Sequence, residues 1–352
     1  MLVLIELCRC PAYSVPDRSN FFSVRLAAEA EAVKKKLVEY LSKFVHLTLT
    51  FDGWSSKGHD EIYSVHLTTP LRRSFLVDGL ILTGLSCTGE TIFDGLKQII
   101  LLYLSIRISL VVSDSAKNVR KARRLICNQW PWILNSPDPS HLLNLLGKDL
   151  IVGSKTYPKV KGFADVLTTV STFTTYFSHS NYGQYHLQQE MKKEVDKRGI
   201  EAAGATRFST FSINAKSVYR CWPAIMRCFH SNVLIFEGKG SQTIRNILKD
   251  EDKADRFRSD LRTVIEILSP IERGLTTLEG QNCTLSDVFL IFIGVGIGFT
   301  RVFSDPSRSI SQYRDESFAA FNRRFAFIIE ESTKDMFLLA YLLDPGEFQW
   351  LC

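Results

Sequence analysis

Two aspartates follow apolar stretches of strand type and could hold a divalent metal ion. Asp52 ends "HLTLTFD" (residues 46–52) and Asp114 ends "SLVVSD" (residues 109–114). If these two strands are neighbours in one sheet, both carboxylates emerge at adjacent strand ends. Hard divalent cations such as Mg²⁺ take oxygen ligands and keep positions open for phosphate and water. The two residues therefore predict a Mg²⁺ site for phosphodiester chemistry.

The same two residues also have a purely local explanation. Aspartate at the end of a strand often starts a turn, and aspartate just before a helix often caps it. In this interpretation Asp52 belongs to the turn of "DGWSS", and Asp114 belongs to the helix start that follows it. Each residue taken alone favours the local role, so the metal hypothesis depends on the elements around them.

Three strand patterns and a helix–strand–helix sequence surround the two aspartates. β-Branched and aromatic residues predict the strands, and apolar residues at helical spacing predict the helices. In order they are strands 46–52, 61–69 and 74–85, helix 89–104, strand 109–114 and helix 116–130. The three close strands predict an antiparallel meander. The order βββαβα predicts an α/β fold with a ribonuclease-H-like mixed sheet, in which the first and fourth strand ends carry the acids.

The rest of the chain is predicted to be helical. Helical periodicity covers 141–152, 158–178, 185–198, 214–229, 258–275 and 316–343, with interruptions expected at Pro223 and Pro270. The apolar run 288–299 is too short to span a bilayer and is predicted to be a buried helix, so no membrane partner is expected. We therefore divide the chain into a leader with one helix (1–44), a partial ribonuclease-H-like core (45–152) and an all-helical insertion domain (153–352).

A row of basic side chains follows Asp114. Lys117, Arg120, Lys121 and Arg124 recur at i, i+3, i+4 and i+7 and therefore share one helical face. Beside a metal site, such a face could bind the phosphate backbone of DNA. A solvated, charged helix face is the competing interpretation. The overall charge decides little, because 43 Lys and Arg against 37 Asp and Glu give +6, which permits an anionic partner without requiring one.

The cysteines and the N-terminus favour an intracellular protein. The eight cysteines are scattered and show neither a CxxC pair nor a zinc-binding spacing, which predicts reduced thiols. The first ten residues, "MLVLIELCRC", have no basic region and no small-residue cleavage site, so they do not resemble a secretory signal.

Five motifs together resemble the hAT (hobo and Activator type) superfamily of DNA transposases. They occur in the order "FDGWSS", "VVSDSAKN", "PDPSHLLNLLGKDLI", "ATRFSTF" and "AYLLDP". The resemblance implies a nuclear protein whose ancestor cleaved DNA and transferred strands with two Mg²⁺ ions. The first catalytic aspartate of the family is matched by Asp52, which precedes Gly53 and Trp54, and the second is matched by Asp114.

The resemblance also implies roles for three further residues. His141, in "DPSH" (138–141), matches a family histidine that acts near the scissile phosphate or in DNA positioning. Arg207 and Phe208 match an Arg-Trp element, with phenylalanine in place of tryptophan, and a ring of this size can still stack on a DNA base. Without the resemblance, His141 would be interpreted as a local cap or packing residue.

The third acid of the family, a glutamate, lies downstream of the "LLDP" marker. This chain stops shortly after that marker, and Glu330 and Glu331 precede it, so an incomplete Mg²⁺ site is expected. The zinc finger that many relatives carry at the N-terminus and the C-terminal region that mediates their oligomerisation are also expected to be missing. The sequence therefore predicts a transposase-derived, DNA-binding protein that is inactive in strand cleavage and does not retain the homo-oligomer of its relatives.

Two other functions stay open at this point. One is a non-catalytic DNA-binding or protein-interaction factor derived from a transposase, which would depend on the basic helix and the helical domain. The other is an unrelated ribonuclease-H-like nuclease that takes its last acid from Asp78 or Asp94.

Overall fold

The computed structural model describes residues 17–103, 107–153, 162–201, 208–280, 283–304, 306 and 309–345. The chain forms two compact units, Met1–Asn135 and Ser136–Cys352. The first unit holds most of a β-sheet and its helices, and the second is helical. We expected the division after residue 152. The structure places the helix Pro139–Ile151 in the second unit, because it packs against other helices there.

A five-stranded mixed sheet organises the first unit. Its strands are β1 (Leu47–Ser55), β2 (Glu61–Thr68), β3 (Ser74–Ile81), β4 (Ile108–Ser113) and β5 (Leu134–Pro137). The strand order is β3-β2-β1-β4-β5. β1 pairs antiparallel with β2, β2 pairs antiparallel with β3, and β1 pairs parallel with β4. The predicted α/β class and the predicted antiparallel meander are confirmed.

Three helices supply the other half of the core in the first unit. They are α1 (Leu26–Leu41), α2 (Gly89–Leu102) and α3 (Lys117–Gln129), and α1 is preceded by short helical segments at Arg18–Asn20 and Phe21–Arg25. Every second residue of β1, Leu47, Leu49 and Phe51, joins the same buried cluster as Leu96 of α2 and Ile126 of α3. This alternation places the side chains of the other residues, Thr48, Thr50 and Asp52, on the opposite face of the sheet.

Strand β1 does not end at Asp52, so the predicted end of this strand is wrong. It continues for three residues to Ser55, and Asp52 pairs with Ser64 in the middle of the ladder with β2. The turn comes later, where Ser56 N donates to Asp60 O at 2.8 Å. The Ser56 hydroxyl also accepts from the backbone N–H of Asp60 at 3.0 Å, which closes the turn. Asp52 is therefore a strand residue and not a turn former.

The second unit is built from nine helices among the residues described. They are α4 (Pro139–Ile151), α5 (Phe163–His179), α6 (Asn181–Met191), α7 (Phe208–His230), α8 (Gln242–Leu248), α9 (Glu251–Leu278), α10 (Leu285–Val302), α11 (Arg314–Glu331) and α12 (Met336–Leu342). Short 3₁₀ turns lie at Lys239–Ser241 and Ser309–Tyr313. The helical character expected for this half is observed.

The two prolines expected to interrupt helices do not do so. Pro223 lies inside α7 and Pro270 lies inside α9. A proline within a helix costs about 3 kcal/mol because it removes one hydrogen bond and crowds the preceding turn. Burial of the flanking side chains offsets that cost, since Trp222 and Ile271, beside the two prolines, are 3% and 0% exposed. Tertiary packing here outweighs the local preference.

Helix α10 contains the apolar run that was expected to be a buried helix. It is helical, but its buried apolar residues form a single stripe of Val288, Phe292, Val295 and Phe299. It is the one helix in the described part of the chain that is long and apolar enough to cross a membrane, by length and composition alone.

A buried ion cluster connects two helices of the second unit. The carboxylate of Asp149 on α4 is 8% exposed. It accepts hydrogen bonds from Arg323 at 2.6 Å and from Arg324 at 2.7 and 2.9 Å, both on α11. The two guanidinium groups compensate the desolvation of the carboxylate, so α4 and α11 are held at a fixed register.

Gly53, next to Asp52, is required by its neighbour across the strand pair. A Cβ added at Gly53 would overlap the ring of Tyr63, whereas a Cβ at Gly79 of β3 would find its nearest atom at 3.7 Å. The phenol ring of Tyr63 therefore lies against the bare backbone of β1. The glycine of "FDGW" has a packing reason that is independent of any catalytic role.

We expect Gly53→Ala to lower the free energy of unfolding by about 1–3 kcal/mol, because the added methyl group forces the Tyr63 ring or the β1 backbone to shift. Gly79→Ala is the matched control and should change it by less than about 0.5 kcal/mol. Urea denaturation followed by circular dichroism measures both. Equal effects of the two substitutions would contradict the proposed contact.

Candidate functional site

The pairing of β1 with β4 brings Asp52 and Asp114 to neighbouring positions. The parallel register aligns Thr50 with Val112 and Phe51 with Ser113. The next residue of each strand is Asp52 on β1 and Asp114 directly after β4. The sequence argument that the two carboxylates lie at adjacent positions of neighbouring strands is therefore consistent with the structure, although β1 continues past this point.

The two carboxylates have different surroundings. Asp52 is exposed, and no hydrogen bond from another described residue reaches its carboxylate. Asp114 is half-buried, and its Oδ1 accepts from the backbone N–H of Ala116 at 3.1 Å. This hydrogen bond starts the turn into α3 and supports the local role considered above for Asp114. Because a carboxylate has about four acceptor positions, the turn and a metal ligand are compatible at the same residue.

Arg123 of α3 fixes the backbone that carries Asp114. The guanidinium is fully buried, and its Nη1 donates to Ser113 O at 2.9 Å and to Asp114 O at 2.6 Å. The same nitrogen donates to the hydroxyl of Ser113 at 2.7 Å, and Nε donates to Asn135 Oδ1 at 2.8 Å. One side chain thus ties the end of β4 to α3 and to the start of β5.

Sequence reasoning missed Arg123 although a signal was present. The four arginines and lysines chosen for the basic face are spaced at i, i+3, i+4 and i+7, and Arg123 does not fit that spacing. It lies instead on the stripe of Val119, Ala122 and Ile126, which are the buried residues of α3. A charged residue at an apolar helical position is almost always paired or hydrogen-bonded in the interior.

A second set of contacts holds the same edge of the sheet. The hydroxyl of Tyr63 lies 3.1 Å from Cys87 Sγ, and the side-chain amide of Asn118 donates to Cys87 O at 3.0 Å. These bonds join strand β2 to the segment before α2 and to the start of α3. Burial raises the pKa of Tyr63, with smaller contributions from Cys87 and the carboxylate of Asp114, so its hydroxyl stays protonated at neutral pH.

The predicted basic face of α3 is on the outside of the first unit. Lys117, Lys121 and Arg124 are exposed, and Arg120 is half-buried. Lys121 forms an ion pair with Glu90 at the start of α2, and this contact lowers the pKa of Glu90. The face is therefore largely exposed, and its role in binding DNA stays a prediction.

The remaining predicted residues belong to the second unit. Asp138 caps α4, because its carboxylate accepts from Ser140 N at 2.8 Å, and His141 is half-buried in the first turn of that helix. Phe208 is the first residue of α7, and Arg207 lies outside the described residues. Asp52, Asp114 and the basic face are thus brought together in one unit, and His141 and Phe208 lie in the other.

The described residues contain no group of three or more His, Cys, Asp or Glu side chains placed to hold a metal ion. Among the acids considered as alternatives, Asp78 forms an ion pair with Lys34 of α1 at 3.1 Å. Asp94 is exposed on α2. The Mg²⁺ prediction therefore depends on Asp52 and Asp114.

Comparison with known proteins gives no family for the chain. No protein-family model matches it, and no curated protein is significantly similar to it.

We expect Arg123→Met to lower the free energy of unfolding by about 2–4 kcal/mol, because it leaves the buried Ser113 and Asp114 carbonyls without their charged donor. Lys117→Met, an exposed cation of the same helix, should change it by less than about 0.5 kcal/mol. Thermal and urea unfolding of both variants measure the difference. An Arg123→Met variant as stable as the wild type would show that these hydrogen bonds contribute nothing net.

Proposed function

We propose that the first unit is a ribonuclease-H-like domain and that the protein is a nuclear, DNA-binding, hAT transposase-like protein. The order β3-β2-β1-β4-β5, with β2 antiparallel to β1 and β4 parallel to it, supports the ribonuclease-H-like part of the proposal. In this arrangement α2 connects the meander to β4, which then leads into α3. The "FDGWSS" and "VVSDSAKN" motifs support the transposase part.

The observation that carries the proposal is the adjacency of Asp52 and Asp114. Two carboxylates on neighbouring strands present oxygen ligands of the kind that Mg²⁺ prefers. Bound there, Mg²⁺ would neutralise charge on a DNA phosphate, and in the ancestral reaction it would also activate water or a hydroxyl for in-line attack. The protein's part is to hold both carboxylates in place through Arg123 and the ladder between β1 and β4.

The basic face of α3 supports the DNA-binding part of the same proposal. The exposed residues Lys117, Lys121 and Arg124 lie within ten residues after Asp114. They share the face of α3 that is opposite its buried stripe. Phosphate oxygens accept hydrogen bonds from such side chains without regard to base sequence. Such contacts would bind DNA to α3 whether or not a metal ion occupies the carboxylate pair.

A non-catalytic DNA-binding factor is the second candidate function. It is favoured by the exposure of this basic face together with the hydrogen bond from Ala116 N to Asp114, which gives that carboxylate a structural use without a metal. The two candidates differ in one observable property. Mg²⁺ should strengthen DNA binding through Asp52 in the first candidate and should have no such effect in the second.

We expect Asp52→Asn and Asp114→Asn each to weaken Mn²⁺ binding by about tenfold or more, because an amide has no negative charge to offer the ion. Asparagine at 114 keeps an oxygen for Ala116 N, so the turn into α3 is preserved. Asp94→Asn is the control, and it should bind Mn²⁺ like the wild type. Electron paramagnetic resonance of free Mn²⁺ measures the affinities. Retained binding in both site variants, or loss in Asp94→Asn, would place the metal elsewhere.

The triple change of Lys117, Lys121 and Arg124 to Gln should weaken DNA binding and reduce the slope of log K against log salt by about 2–3, because each contact releases about one counterion. Changing Lys35, Lys36 and Lys43 to Gln removes the same charge from exposed positions elsewhere in the first unit. Fluorescence anisotropy with a duplex over a salt series compares them. Equal slopes for the two triple variants would assign DNA binding to overall charge and not to α3.

A further inference from the structure

A polar groove of about 820 Å³ lies between α9 and α10 in the second unit. Arg262 and Arg273 of α9 line one wall, and Arg301 of α10 lines the other. Ser259, Thr263 and Thr277 also line the groove, and the hydroxyls of Thr263 and Thr277 donate to backbone carbonyls of their own helix. A volume of this size is typical of sites for small ligands. The groove is separate from the carboxylate pair, which belongs to the first unit.

Glycines on α10 leave the groove open, and one of them has no packing reason. Gly298 is required because a Cβ there would lie 2.7 Å from the Pro270 ring of α9. A Cβ on Gly294 would meet nothing within 4 Å, although Gly294 lies on the groove wall. Glycine is a poor residue for the middle of a helix. Its effect at position 294 is to keep a side chain out of the groove.

The charged groups that line the groove are mainly positive. Arg262 Nε donates to Glu266 Oε1 at 2.9 Å, and Arg273 Nε donates to the carbonyl of Ser269 on its own helix at 3.4 Å. Three arginines against one glutamate give the lining a net charge of +2. A polar groove with this charge favours an anion with more than one negative group.

The three arginines are distributed along the groove. Arg262 and Arg273 are 11 residues apart, which is about three helical turns, so they lie on one face of α9 roughly 16 Å apart along its axis. Gly298 lies against Pro270, and Gly274 lies against Val295. Residue numbers rise on α9 as they fall on α10, so the two helices run antiparallel. Three residues beyond Gly298, Arg301 therefore lies at an axial position between the two arginines of α9.

We propose that this groove binds a small polyphosphate anion, either inorganic pyrophosphate or the phosphate chain of a nucleoside triphosphate. The planar guanidinium of arginine donates two parallel hydrogen bonds to a phosphate group. Arg273 and Arg301 lie on opposite walls, so their long side chains can contact neighbouring phosphates of one chain from two sides. The proposal does not depend on Asp52, Asp114 or any role in DNA cleavage.

Isothermal titration calorimetry of the full chain with pyrophosphate tests the proposal. We expect saturable one-to-one binding that Arg273→Gln and Arg301→Gln each weaken by about tenfold, as expected for loss of a charge-assisted hydrogen bond. Gly294→Leu should weaken binding by placing a side chain in the groove, and it replaces a poor helix former with a good one, so the helix is retained. Circular dichroism verifies the fold of each variant.

Arg256→Gln is the matched control, since Arg256 is an exposed arginine of α9 that does not line the groove. It should bind pyrophosphate like the wild type. Titration with tripolyphosphate and with adenosine triphosphate separates the two sources, because tighter binding of the nucleotide identifies a nucleoside contribution and equal binding identifies the phosphates alone.

Three results would overturn the proposal. They are the absence of saturable binding, wild-type affinity in Gly294→Leu, and loss of affinity in Arg256→Gln equal to that in Arg273→Gln. Displacement of pyrophosphate by a single-stranded oligonucleotide at lower concentration, with oligonucleotide binding lost in Gly294→Leu, would assign the groove to nucleic acid and reject a small ligand.

Discussion

The buried guanidinium of Arg123 is the interaction on which the candidate site depends. Moving a cation from water into a protein interior costs several kcal/mol, and hydrogen bonds to oriented acceptors must offset that cost. Arg123 meets the carbonyls of Ser113 and Asp114, the hydroxyl of Ser113 and the side chain of Asn135. One side chain of α3 consequently holds the end of β4 and the start of β5.

The backbone that carries the two carboxylates is held by hydrogen bonds. The backbone of Asp114 is fixed by Arg123, and the backbone of Asp52 is fixed by its pairing with Ser64 of β2. The contact of Tyr63 with Cys87 and the bond from Asn118 hold the segments on the other side of that edge. The carboxylates are therefore carried by rigid strands, which is the condition for a precise metal or phosphate site.

Much of the fold could be predicted because the local signals and the tertiary structure agree. The alternating pattern of "HLTLTF" is the buried and exposed alternation of β1, and the order of strands and helices up to α3 matches the order found. The end of β1 could not be predicted, because "DGW" has the composition of a turn. In the structure the ladder with β2 continues through Gly53, which pairs with Tyr63 and lies against its ring.

The other errors have the same physical origin. Pro223 and Pro270 are helix breakers by local preference, and burial of Trp222 and Ile271 overrides them. Arg123 lies within a basic segment of the sequence. Its burial depends on the carbonyls of Ser113 and Asp114, and the helical pattern of α3 does not reveal that contact. For the candidate site, sequence could predict that Asp52 and Asp114 are adjacent and that one face of α3 is basic, but not the side chain that positions Asp114.

The central claim is that Asp52 and Asp114 share one divalent cation, and anomalous diffraction from crystals of the full chain soaked in Mn²⁺ tests it most directly. The account predicts an anomalous peak between the two carboxylates, about 2.0–2.3 Å from an oxygen of each, as expected for Mg²⁺-like coordination. No peak between them in a fully occupied soak, or a peak at other ligands with the two carboxylates unbound, would contradict it.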